Sequence, residues 1–131
     1  MTFQTALKEL DLTGVVGRVE TDLGLSKEDA QRAEVLYRQF LTLCHKYPDL
    51  SITPPKLVDE VWHFHIMNTR KYAQDCDNLF GQFIHHGPHK QNAEEDYAHT
   101  KELYKKEFNV NLDTYGLPAD MLGHAICGVG G

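Results

Sequence analysis

Between Lys27 and Lys46 the apolar residues Ala33, Leu36, Tyr37, Phe40 and Cys44, continued by Tyr47, recur at spacings of three and four. Only a helix with one face in a core uses that period. Ser26 is placed to accept from the first free N–H groups, and Glu28 and Asp29 sit at the positive end of the helix dipole. Pro48 stops the run. A chain built on such a helix must supply other helices to cover its stripe, and the remaining sequence contains no strand-like alternation or βαβ rhythm. The fold class expected is all-α: a single compact bundle of about five helices.

The other segments fit. Thr2 caps a short helix through Leu10, with Phe3, Ala6, Leu7 and Leu10 on one face. A second helix runs from about Leu12 to Leu23 and ends at Gly24. Its Gly14 and Gly17 each cost about 1 kcal/mol relative to Ala inside a helix, unless they let two helices approach closely. After the extended Ser51-Ile-Thr-Pro-Pro entry, a central helix is expected from about Lys56 to Asp77. Val58, Val61, Trp62, His65, Ile66, Thr69, Tyr72, Ala73 and Cys76 fall in one core-facing sector, while Asp59, His63 and Arg70 follow its border. Asn92 is placed to cap a last helix over Ala93–Phe108. The helical domain is read as 1–122, with 123–131 a flexible Cys- and Gly-rich tail.

Composition narrows the function classes. Nineteen acidic residues against thirteen basic ones give a net charge of −6, and no Lys/Arg cluster offers a nucleic-acid footprint. No apolar run approaches the roughly 18 residues of a membrane helix, so no membrane is expected. Three cysteines leave at least one thiol unpaired in any intramolecular scheme, which favours a reducing cytoplasm.

The chemistry concentrates between Leu57 and Pro88, a stretch that holds four of the eight histidines and the only Trp. Asp59 and His63 stand one helical turn apart, a spacing at which carboxylate and imidazole can chelate one ion. The His85-His86 pair beyond the helix is the obvious source of a further ligand. Such a mixed N/O set suits a transition metal: Zn by default, with Fe, Mn, Ni or Cu possible at higher coordination. Trp62, His65, Tyr72 and Cys76 would support the site from the core face. A metal-free Asp–His pair could instead orient a general base or simply brace the helix. His45 at a helix end reads as a cap, Cys44 as a core residue, and Trp62 as a packing anchor. Cys127 and the glycines after it form a second feature: a free end, or a working end for a protein partner or modifying enzyme. Three classes follow: a metal-binding protein, a metal-dependent enzyme of hydrolysis or oxidation, and an interaction or modification-substrate protein.

The run Val58-Asp-Glu-Val-Trp62-His63, followed by Thr69-Arg70, Tyr72, Cys76, Phe80-Gly81 and Ile84-His85-His86 with Pro88, resembles the glycine-rich domain-containing protein-like family. The likeness is dense over about a quarter of the chain. His65 departs from that pattern, which often has Phe there. The resemblance implies that Asp59, Trp62, His63, Tyr72, Cys76, His85 and His86 form one constellation, and that the Cys- and Gly-containing end is a short version of that family's tail. It implies no particular reaction.

Overall fold

The computed structural model describes residues 2–88, 93–115, 117 and 127–129, of which 86–88, 93 and 127–129 are described by their backbone. The described residues form six α-helices: α1 (Phe3–Glu9), α2 (Thr13–Leu23), α3 (Lys27–Lys46), α4 (Lys56–Met67), α5 (Thr69–Phe80) and α6 (Ala93–Phe108). A 3-10 turn spans Leu112–Thr114. The all-α expectation holds. Its one addition is a short antiparallel pairing of β1 (His86–Pro88) with β2 (Cys127–Val129), in which Pro88 lies opposite Cys127 and His86 opposite Val129.

The helix ends follow from local chemistry. The Thr2 hydroxyl accepts from the Thr5 N–H and the Ser26 hydroxyl from that of Asp29, each satisfying a donor the helix cannot. Gly24 and Gly81 close α2 and α5 at φ +66° and +71°, a left-handed conformation that a Cβ disfavours. The last carbonyls of α1 are held differently. Arg38 on α3 donates to the Leu7 and Leu10 oxygens at 2.6 and 2.7 Å, while its Nε donates to Glu34. That fork fastens the end of α1 to α3.

Helix α3 is the centre of the packing. It lies against α2, α4 and α6, and α4 in turn packs on α2 and α5. Leu36, Tyr37, Phe40 and Leu43 have no exposed surface, and Trp62 of α4 sits against Phe40 with ring centroids 5.1 Å apart. The Tyr104 hydroxyl of α6 donates to the Leu36 carbonyl at 2.6 Å, and Glu107 receives Lys46 and Tyr47 from the end of α3. His45 stands in the last turn of α3, and its ring stacks on Phe3 at 4.0 Å, joining α1 to α3.

Two expectations are corrected. The central helix is not continuous to Asp77: it breaks at Asn68 (φ −88°, ψ 78°), and α5 starts at Thr69. The glycines of α2 do not serve close helix approach, because a Cβ at Gly14 or Gly17 would meet nothing within 4 Å.

Candidate functional site

The break at Asn68 builds the site. In a straight helix, residues ten apart are separated by about 15 Å along the axis. Here two such pairs touch. The imidazole Nε2 of His65 lies 2.7 Å from Asp75 Oδ2, and the indole N–H of Trp62 donates to the Tyr72 hydroxyl at 2.9 Å. The corner therefore turns α5 back on α4 and stitches the two with a charged and a neutral hydrogen bond.

Each stitch continues outward. On one side Tyr37 of α3 lies 2.6 Å from His65 Nδ1, and Lys71 donates to the same Asp75 oxygen at 2.8 Å. With a carboxylate as its acceptor, Nε2 carries the imidazole proton, and Nδ1 accepts from the Tyr37 hydroxyl; this tautomer is assigned from the network. The order Lys71–Asp75–His65–Tyr37 runs from half-exposed surface into the core. Asp75 also faces a cleft of ≈ 170 Å³ between α1 and α5, which Glu9 and Asn78 share. On the other side the Tyr72 hydroxyl donates to the Ile84 carbonyl at 2.6 Å. That bond ties the segment leading to His85 and His86 onto the α4–α5 corner.

Burial sets the protonation of this cluster. Loss of water lowers the His65 pKa below its ordinary value, and the Asp75 hydrogen bond offsets part of that fall. Burial pushes the Tyr37, Tyr72 and Cys76 groups up. The resting cluster is therefore a neutral imidazole among neutral hydroxyls and a thiol, beside the Asp75 carboxylate.

The sequence-predicted residues separate into two sets. Trp62, His65, Tyr72 and Cys76 come together in the core, each at most 2% exposed. The hydrogen-bond partners of His65 are Tyr37 and Asp75, and Tyr72 meets it edge-on at 4.8 Å. Asp59 and His63 lie on α4 with Oδ2 and Nδ1 3.9 Å apart, the carboxylate buried and the imidazole half exposed. His85 is exposed and its ring tilts against Phe83 at 4.9 Å. Among the described residues no group of three or more His, Cys, Asp or Glu side chains is placed to hold a metal, so Asp59, His63 and His85 do not form one. The side chains of His86 and Cys127 lie outside the described part.

Asp75 and the role of Tyr37 were missed in the sequence. The hydrophobic rhythm passes through the corner unbroken, from His65 to Tyr72, Cys76 and Leu79, so nothing in it marks Asn68 as a turn. Without the turn, Asp75 is an ordinary polar residue far from His65.

A family comparison bears on this region. The model of the UCP032817-like family matches residues 14–116, from the start of α2 past the 3-10 turn. The chain belongs to that family. The match corrects the resemblance to the glycine-rich domain-containing protein-like family, to which nothing in it points. The block that carried the resemblance covers only Leu57–Pro88, and its aromatic and small residues are the ones a helical corner over a core requires. No curated protein and no solved structure matches the chain. The UCP032817-like description names no reaction or ligand, and no described helix is long and apolar enough to cross a membrane.

Proposed function

We propose that this chain is a small helical metal-binding protein of the cytoplasm, in which Asp59 and His63 grip one transition-metal ion and an imidazole of the His85-His86 pair moves in to close the site when the ion binds. The observation that carries the reading is the Asp59–His63 pair, one turn apart on α4 with 3.9 Å between Oδ2 and Nδ1. Two ligands on one ion stand somewhat closer than that, at about 3.3 Å for a tetrahedral centre with bonds near 2.0 Å. Rotation of the half-exposed His63 ring closes the difference. The Trp62–Tyr72–Ile84 chain of hydrogen bonds lends support, because it ties the backbone just before His85 to α4, the helix that carries His63. The free thiols of Cys44 and Cys76 suit a reducing compartment.

Elemental analysis of tag-free protein, beside an Asp59→Ala/His63→Ala variant, tests the reading. The expected result is about one ion per chain of a single transition metal, lost from a variant that keeps its helical spectrum. Equal trace metal in both proteins would overturn it.

A further inference from the structure

Two oxidisable side chains touch His65, and two more lie near them. Tyr37 hydrogen-bonds its Nδ1 at 2.6 Å, and the Tyr72 ring meets it edge-on. Trp62, the chain's only Trp, donates to the Tyr72 hydroxyl, and the buried Cys76 lies one helical turn beyond Tyr72 on α5. All are at most 2% exposed. Removing an electron from a phenol makes its O–H strongly acidic. How easily a buried tyrosine is oxidised therefore depends on whether a base stands ready for its proton, since an unpaired charge in the core is costly.

The buried tyrosines differ on that point. The Tyr72 hydroxyl donates to the Ile84 carbonyl and that of Tyr104 to the Leu36 carbonyl, and a peptide oxygen is a poor proton acceptor. Of these three, Tyr37 has its hydroxyl hydrogen-bonded to an imidazole nitrogen. The imidazolium formed by taking its proton would be stabilised on the far side by the Asp75 carboxylate, itself held by Lys71. This is the part a carboxylate plays behind a catalytic histidine. The aromatic contacts continue from Tyr72 to Phe83 at 5.1 Å, whose ring is 45% exposed, so the cluster reaches the surface.

We propose that Tyr37 is a redox-active tyrosine, a one-electron donor to diffusible radical oxidants whose phenol proton is taken by His65. The electron passes to the oxidant, which becomes its one-electron-reduced form. The Tyr37 O–H bond breaks, its proton moves to His65 Nδ1, and a neutral tyrosyl radical remains beside an imidazolium paired with Asp75. The step needs no bound metal and is independent of the Asp59–His63 reading.

The test is flash oxidation of the full, chelator-treated chain with photogenerated ruthenium(III) tris-bipyridine, followed by electron paramagnetic resonance and transient absorption. A tyrosyl radical is expected in the parent and in Tyr72→Phe, and is expected to be absent from Tyr37→Phe. His65→Gln keeps a polar partner for the hydroxyl but no base. Its radical should form about tenfold more slowly, equivalent to about 1.4 kcal/mol on the barrier, and lose the parent's slowing in D₂O. No tyrosyl radical in the parent, an unchanged radical in Tyr37→Phe, or parent-like rates and isotope effect in His65→Gln would each overturn the proposal. The last readout also decides the case if Tyr37→Phe fails to fold.

Discussion

His65 links α4 to Tyr37 of α3 and Asp75 of α5, and its burial has a pH consequence. Its folded pKa lies below the ordinary histidine value of 6.5. Above that value both folded and unfolded states hold the ring neutral, and the group has no effect on stability. As the pH falls below it, the unfolded chain takes up a proton that the folded protein does not, so stability drops until the folded pKa is reached. Urea midpoints should therefore decline between about pH 7 and pH 5, with a shallower decline in His65→Gln. Equal slopes in the two proteins would show that His65 is not the group responsible. Tyr72→Phe is a second residue-scale case. It removes an acceptor from the buried Trp62 N–H and a donor from the Ile84 carbonyl, and should cost about 1–3 kcal/mol in denaturant unfolding.

At the scale of elements, the glycines divide into two kinds that substitution should separate by sign. Gly14 and Gly17 have open space where a Cβ would stand, and no positive φ is recorded for them. Gly14→Ala and Gly17→Ala should each stabilise the fold by about 0.5–1 kcal/mol, through lower conformational freedom in the unfolded chain. Gly81 ends α5 at φ +71°, and Gly81→Ala should destabilise by about 1 kcal/mol despite the same open space. Thermal unfolding of the three variants measures both signs. These elements also show what the sequence disclosed and what it hid. Helices α3 and α6 were legible to their ends, because Ser26, Pro48 and Asn92 are local signals lying beside the apolar rhythm. The α4–α5 corner was not. A turn at Asn68 that keeps Tyr72, Cys76 and Leu79 on the buried face leaves the hydrophobic period intact, so the pattern that locates a helix cannot report that it has bent. The same blindness hid Asp75 as the partner of His65. Trp62, His65, Tyr72 and Cys76 could still be grouped, because a stripe keeps its members together on either side of the bend.

The whole molecule places its core and its candidate chemistry at different depths. The buried cluster around His65 lies where α3, α4 and α5 meet, whereas His63 and His85 are on the surface and the Cys127–Val129 strand pairs with His86–Pro88. Deleting 123–131 removes the β1–β2 ladder but no described helix. The truncated chain should keep its helical circular-dichroism spectrum and a single cooperative urea transition, with an unfolding free energy lowered by no more than about 1 kcal/mol, the net scale of a backbone hydrogen bond. A larger loss, or a second transition, would mean that the pairing of β2 with β1 braces the α4–α5 corner through Ile84 and Tyr72. In that case the truncation and Tyr72→Phe should fail to add when combined, because both would act on the same attachment of residues 84–88 to the bundle.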